Sequence, residues 1–249
     1  MIGAVIQARM TSTRLPGKVL MEVNGKPLLE YLVERISYCR NVDRIVIATT
    51  TNEADNPIAA FANKRGICCY RGSEDDVLER YFKAAKKFDI DTVIRVTADC
   101  PLIDPYLCDA IVEKFKNEHY EYIGTAPSFA EGLDIEIMSV HALQKAHREA
   151  KNKSEREHVT LYITSNPHLF RSVRLENETD DSMYRITVDE EVDFKVVESI
   201  IDALYKEGER PFDQFQIKRF LDDHPEIYNL NRHIIRNEGL LKSFREEGT

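Results

Sequence analysis

The sequence predicts an α/β fold built on a mixed, mainly parallel central sheet. Three observations carry that prediction. Short β-branched runs alternate with helical patterns through the first half of the chain, as in successive βαβ units. The runs are apolar on both faces, Val93–Val96 (VIRV) among them, which suits parallel strands covered on both sides. A chain of 249 residues that is 43% hydrophobic has enough apolar side chains for a sizeable core in one main domain spanning residues 1–249.

The elements follow in order. Ala4–Gln7 is the first strand: it lies in MIGAVIQARM, where no basic region precedes the apolar stretch, so a signal peptide is not expected. Pro27–Cys39 reads as a helix with Leu28, Leu29, Leu32, Val33 and Ile36 on one stripe and Glu30, Glu34 and Arg35 on the wetter side. Strands Arg44–Thr49, Ile67–Tyr70 and Thr92–Thr97 then alternate with helices Asn56–Arg65, Val77–Phe88 and Pro105–Asn117. The second half is less regular. Ile135–Ser139, Phe170–Leu175 and Tyr184–Val188 read as strands and His141–Ala150 and Glu191–Tyr205 as helices, so the sheet is expected to become mixed there. Lys151–Glu157 and Glu176–Ser182 read as surface connections, each too short for an interdomain linker. The tail from Phe215, interrupted by Pro225, suggests one more helix and a loosely packed end. Residues 120–170 mix apolar side chains expected at the surface (Tyr122, Phe129, Leu161, Tyr162) with charges. They are the candidate dimerisation arm of a C2 homodimer.

Charge and cysteine usage remove several function classes. Lysine and arginine total 34 against 43 aspartates and glutamates, a net charge of −9, whereas a general nucleic-acid binder shows a basic face. No apolar run approaches the roughly 20 residues of a membrane span, and a cytoplasmic protein is expected. The five cysteines, Cys39, Cys68, Cys69, Cys100 and Cys108, are odd in number and lack CxxC spacing, so reduced, mostly buried thiols are expected.

The informative chemistry begins where the first strand ends. Ala8-Arg9-Met10-Thr11-Ser12-Thr13-Arg14-Leu15-Pro16-Gly17-Lys18 carries three cations, three hydroxyl residues and a glycine. A nucleoside triphosphate needs amides, hydroxyls and fixed positive charge around its phosphates, and open α/β sheets bind such ligands beyond the carboxyl ends of their strands. A solvated basic loop is the plain alternative for any one of the cations. The loop is neither a GxxxxGK[ST] loop nor a GxGxxG fingerprint, which sets ATPase and dehydrogenase readings behind.

At this loop the sequence resembles a known family. QARMTSTRLPGKVL is similar to the opening motif of the cytidylyltransferases that activate acidic sugars as CMP derivatives, with the spore-coat polysaccharide F type most alike. RGSEDDVLERY (Arg71–Tyr81), VTADCPLID (Val96–Asp104), EGLDIEIMS (Glu131–Ser139), EREHVTLYI (Glu155–Ile163) and ITVDEEVDF (Ile186–Phe194) resemble later blocks of that family in the same order. The resemblance implies a GT-A-like (Rossmann-like) nucleotidyltransferase fold, CTP as donor, Mg²⁺ as cofactor, an acidic-sugar acceptor and a homodimer. In that light Gln7, Ala8, Arg9, Ser12, Arg14 and Lys18 are expected around the nucleotide, with Arg9 and Lys18 catalytic. The family pattern also implies a turn at Arg71, Gly72 and Ser73 whose backbone approaches the nucleotide.

The carboxylates are weighed one by one. Asp99 stands where an apolar strand ends, and magnesium favours one or two carboxylates together with substrate phosphates. The family pattern makes Asp99 a catalytic metal ligand in contact with the nucleotide; its alternative is to satisfy the turn around Pro101, Asp104 being the better helix cap. Asp189, also at a strand end, is the second expected metal ligand, with capping as the alternative. Glu190, Glu191 and Asp193, near a helix N-terminus, read as caps, as does Asp75 or Asp76. Asp134 and Glu136 share one side of an alternating strand, which either faces the acceptor or is solvated. Arg156 and His158 are the remaining acceptor candidates, against helix packing or a dimer contact, and His158 lacks a second histidine at ligand spacing. The expected reaction is transfer of CMP to a hydroxyl with release of pyrophosphate. A glycosyltransferase or another nucleotide-sugar synthetase of the same fold, and a non-catalytic CTP-binding module, are the alternatives.

Overall fold

The structure is a computed structural model that describes residues 1–236 and 238–248. β1 (Ile2–Gln7) lies inside a seven-stranded sheet and is followed by a 3-10 turn at Lys18–Leu20 and by the ribbon of β2 (Glu22–Val23) and β3 (Lys26–Pro27). α1 (Leu28–Ser37), β4 (Arg44–Thr50), α2 (Asn56–Lys64), β5 (Cys68–Gly72), α3 (Val77–Lys87), β6 (Thr92–Thr97) and α4 (Pro105–Asn117) complete the regular half. Each expected element of that half is present, with ends shifted by no more than a few residues.

Local chemistry explains these boundaries. The Asp76 carboxylate accepts the Glu79 amide at 2.8 Å and opens α3. Asp104 accepts the amides of Tyr106 and Leu107 at 2.8 and 3.1 Å and opens α4. Both satisfy helix-end donors that have no partner within the helix. β4 is buried from Val46 to Thr50, as the doubly apolar pattern requires.

The second half consists of β7 (Tyr122–Thr125), β8 (Glu136–Ser139), α5 (Val140–Glu149), α6 (Lys153–Glu157), α7 (Leu161–Ser165), β9 (Ser172–Leu175), α8 (Glu191–Leu204), α9 (Gln214–Asp223), α10 (Pro225–Tyr228) and α11 (Glu238–Glu247). The strand order is β5-β4-β1-β6-β8-β7-β9. β1, β4, β5 and β6 are mutually parallel, β8 runs antiparallel to β6 and β7, and β9 is parallel to β7. The mixed, mainly parallel sheet is therefore as expected, and the reversal falls in the half where periodicity weakened. Ile6, Ile47, Ile94 and Ile123 pack toward α1, α2 and α4, while Val5, Val46, Val93 and Met138 pack toward α3 and α5. A third cluster joins α8 and α9 to the segments around Leu102, Leu133 and Ile186.

Four expectations need correction. Tyr184–Val188 is not a strand of the sheet: it makes one parallel bridge, Glu131 with Arg185, and the amides of Ile186 and Val188 go to the carbonyls of Glu131 and Asp99. Its alternation reflects packing between two loops. Tyr122 and Phe129 are 1% and 5% exposed; Tyr122 opens β7, a strand too short to be read from sequence, which lies between β8 and β9. Lys151–Glu157 contains α6, opened by a reciprocal cap between Asn152 and Glu155. Finally, the described residues of the tail hold three helices, of which α9 buries Ile217 and Leu221 in the third cluster, and Pro225 starts α10, where a first-turn proline lacks no hydrogen bond.

β1 pairs with β4 and β6 so that Gln7 lies beside Ala48 and Thr97. This register brings the loops after β1, β4 and β6 to one edge of the sheet. That edge is where the functional side chains meet.

Candidate active site

The loop after β1 folds back on itself. Gly17, at φ 74°, donates its amide to the Met10 carbonyl at 2.9 Å; the left-handed conformation is the one glycine adopts without strain. The turn swings Lys18 inward until it is 7% exposed. Its ammonium donates to the Val188 carbonyl at 2.6 Å and the Asp189 carboxylate at 2.8 Å, and lies 3.5 Å from Asp99. Asp99 and Asp189, which stand 90 residues apart in the chain by their numbers, thus meet on one cation.

Backbone bonds hold the two carboxylates together. The amide of Val188 donates to the Asp99 carbonyl at 2.7 Å, and the Thr187 hydroxyl donates to the same oxygen at 3.1 Å. On the other side of this segment lies Gly132 at φ 106°, where a Cβ would come within 2.7 Å of the Thr187 nitrogen. The glycine of EGLD therefore lets the 186–189 segment approach, with the Glu131 carbonyl accepting the Ile186 amide at 2.7 Å and its carboxylate paired with Arg185 just before the segment.

Electrostatics reinforce the cluster. Burial alone would lower the Lys18 ammonium, but Asp99 and then Asp189 more than offset it and raise it above its ordinary 10.5. Burial alone would raise Asp189, and Lys18, Arg14 and Arg185 together pull it below the ordinary carboxylate value of 3.8. Both partners are thus held ionised.

The other expected nucleotide residues fall in two groups. Arg14 reaches Asp189 at 3.0 Å and, with its other terminal nitrogen, Glu238 of α11 at 2.9 Å. Arg9 is exposed and its side chain has no hydrogen bond or ion pair among the described residues. Ala8 is buried, and the side-chain oxygen of Gln7 is buried without a partner. The Ser12 hydroxyl accepts the Leu15 amide at 3.4 Å. At the end of β5, by contrast, Arg71 is engaged: it donates to the carbonyls of Thr50 and Asn52 and to the Asn56 side chain, tying the β4–α2 connection to β5. The Gly72 carbonyl accepts the Thr51 amide at 3.0 Å, and the Ser73 hydroxyl accepts the Asp76 amide at 3.0 Å.

The acceptor candidates do not form one polar row. β8 starts at Glu136, so Asp134 precedes the strand; it accepts from Arg236 at 2.9 Å. Glu136 lies within the protein, paired with Arg95 and accepting from the hydroxyls of Tyr122 and Thr160. Arg156 pairs with Asp76 and donates to the His147 carbonyl at 2.6 Å. His158 lies 2.9 Å from the Ser243 hydroxyl on α11. Arg14, Asp134 and His158 are thus each met by the C-terminal segment.

Asp99 and Asp189 fit the requirements of magnesium, because both are hard oxygen donors already converging on a single cation. Among the described residues no cluster of three or more His, Cys, Asp or Glu side chains forms a separate metal site. No helix among them is long and apolar enough to cross a membrane. Cys39, Cys100 and Cys108 are buried and Cys68 and Cys69 half-buried, all as free thiols.

The site thus combines a cationic loop, a buried lysine and two carboxylates, one following β6 and one preceding α8. The model of the family described as cytidylyltransferase matches residues 3–238. The chain belongs to the cytidylyltransferase family. Among relatives of this cytidylyltransferase, the spore coat polysaccharide biosynthesis protein SpsF of Bacillus subtilis is 38% identical over 217 residues, 83% of this chain and 88% of SpsF. The 3-deoxy-manno-octulosonate cytidylyltransferase of Geobacter metallireducens is 28% identical over 166 residues, 67% of this chain and 61% of its own. The solved structure of a cytidylyltransferase from Leptospira borgpetersenii superimposes with a TM-score of 0.88 at 33% identity, covering 94% of this chain and 99% of that one.

Several contributors to the site were not read from sequence as such. Arg185 anchors Asp189, Asp193 does more than cap a helix, and Glu238 and Arg236 reach the site from the far end of the chain. Arg185 carries a signal: a cation inside an otherwise apolar run, one residue before ITVD, is costly to bury unless it has a partner.

Proposed function

We propose that this cytidylyltransferase transfers CMP from CTP to a hydroxyl of an acidic sugar, releasing pyrophosphate. The observation that carries the reading is the convergence of Lys18, Asp99 and Asp189 at the end of β1 and β6. The acceptor oxygen attacks the α-phosphorus in line, so the protein's work is positioning and charge stabilisation. Arg14 grips the triphosphate tail through a planar fork. Lys18 offsets the negative charge that grows as pyrophosphate departs, and Arg9, whose side chain has no hydrogen bond or ion pair among the described residues, is available to the phosphates. Asp99 and Asp189 would hold Mg²⁺, whose charge would neutralise phosphate oxygens.

The names of the relatives, one acting on an octulosonate and one in polysaccharide biosynthesis, support a sugar acid as acceptor. We further propose that the protein acts in the cytoplasm as a homodimer, with residues 120–170 at its interface; a monomer mass by light scattering at micromolar concentration would overturn the latter. The test of function is pyrophosphate release with each of the four nucleoside triphosphates against a panel of acidic sugars. Turnover with CTP and one sugar acid is expected. Binding of CTP with no turnover on any acceptor would leave a CTP-binding module, and turnover with a different nucleotide would move the donor.

A further inference from the structure

We propose that Arg185 is a positioning residue that fixes the Asp189 carboxylate for its cation; the inference rests on the metal-assisted reading above. Arg185 is 6% exposed. Its Nε donates to Asp193 Oδ1 at 2.8 Å and its Nη2 to Asp193 Oδ2 at 3.0 Å, a two-pronged contact. Nη1 donates to Glu131 Oε2 at 2.5 Å, and Nη2 also donates to Asp189 Oδ2 at 2.9 Å. One planar group thus holds three carboxylates in fixed relative orientation.

The geometry divides the two oxygens of Asp189. Oδ2 faces Arg185, whereas Oδ1 faces Lys18 at 2.8 Å and Arg14 at 3.0 Å. A free aspartate side chain turns readily about its last torsion; here the rear oxygen is tethered, and the other is left to the cation side. The backbone is held by the same cluster. Asp193, fully buried, accepts the amides of Asp189 and Glu190 at 2.9 and 3.0 Å and the Asn231 side-chain amide at 2.9 Å. Asn231 in turn donates to the Arg185 carbonyl at 3.1 Å. Main chain and side chain of Asp189 are therefore set by one network reaching from the 131 loop to residue 231.

A lysine at 185 keeps the charge but has a single donor point on a flexible stem, and cannot reach three carboxylates in fixed directions. Partners that orient a metal ligand from behind are typically worth about 10- to 100-fold in metal affinity or activity. The experiment measures Mn²⁺ binding to the unliganded protein by electron paramagnetic resonance of the free ion, for the wild type, Arg185→Lys and Arg95→Lys, with thermal melts alongside. Arg95 is paired with Glu136 inside the sheet, so its variant reports the effect of disturbing a buried ion pair elsewhere.

The expected result is a Mn²⁺ dissociation constant at least about 10-fold higher for Arg185→Lys and unchanged for Arg95→Lys, with kcat falling more than the KM for CTP rises. Should Arg185→Lys fail to fold, Asn231→Ala, which loosens the network and leaves Arg185 in place, is expected to weaken Mn²⁺ several-fold. A folded Arg185→Lys protein, or failing that Asn231→Ala, with wild-type Mn²⁺ affinity overturns the proposal. So does an equal loss in Arg95→Lys, since that would mark a general effect of instability. An active wild type whose Asp189→Asn variant binds Mn²⁺ and turns over normally would overturn the underlying metal reading instead.

Discussion

Replacing Lys18 with methionine removes a cation that Asp99 and Asp189 share. The substitution nearly preserves volume, so packing changes little, but it leaves two carboxylates facing each other and the Val188 carbonyl without its donor. Removing one partner of a buried ion pair costs about 3–5 kcal/mol. Here the low end, about 3 kcal/mol, applies, because the Asp99 side chain is 30% exposed and can regain some water. For a chain of this size each kcal/mol moves the melting temperature by about 2–4 °C, so the variant should melt roughly 6–12 °C below wild type in EDTA. Magnesium ions should restore more of the melting temperature in the variant than they add to the wild type, since a dication can satisfy both carboxylates. kcat should fall with kcat/KM, because positive charge near the departing pyrophosphate is lost. Differential scanning calorimetry with and without MgCl₂, beside steady-state kinetics, reads all of this. A variant that melts like wild type in EDTA and gains nothing extra from Mg²⁺ would show that Lys18 and the carboxylates do not form the coupled cluster described.

Four further outcomes are expected. Asp99→Asn should abolish most turnover while leaving the melting temperature within a few degrees, because it deletes a formal charge at constant shape; wild-type kcat at limiting Mg²⁺ would remove Asp99 from the ligand set. Glu238→Gln should tighten CTP binding by about 1.5- to 5-fold in a calorimetric titration, since an exposed ion pair is worth roughly 0.2–1 kcal/mol and this one occupies Arg14; unchanged affinity would mean that Arg14 does not meet the triphosphate. Gly132→Ala should destabilise strongly and lower Mn²⁺ affinity, because its Cβ would meet backbone at 2.7 Å. Stability should also respond to acid through Glu136. Burial pushes this carboxyl up, yet Arg95, Tyr122 and Thr160 outweigh burial and hold it below its ordinary 4.5. As pH falls the unfolded chain takes up that proton first, so the stabilisation is complete above about pH 4.5 and disappears through the lower folded value. Melting temperatures between pH 6 and pH 3 should therefore fall less steeply for Glu136→Gln than for wild type; equal slopes would refute the assignment.

The sequence carries the alternation of the first half, where apolar period and caps such as Asp76 and Asp104 act within a few residues of one another. It also determined the residue types of the site, because Lys18, Asp99 and Asp189 each stand in a motif at the end of an apolar run. Which groups meet is set by the folded chain. β7 was too short to show a period, and the alternation at Tyr184–Val188 came from packing between the Glu131 and Asp99 loops. Glu136 looked like one of a polar row, but Arg95, on the neighbouring strand β6, takes its charge into the interior. Arg71 was expected beside the nucleotide in a turn, and the donors of its side chain go to the β4–α2 connection. Arg185, Asp193 and Asn231 come from three places in the chain and act together through hydrogen bonds that have no local sequence signature. Pairing of charges across the fold depends on register and loop approach, which are set by the packing of the whole sheet, whereas caps and periodicity depend on neighbours along the chain.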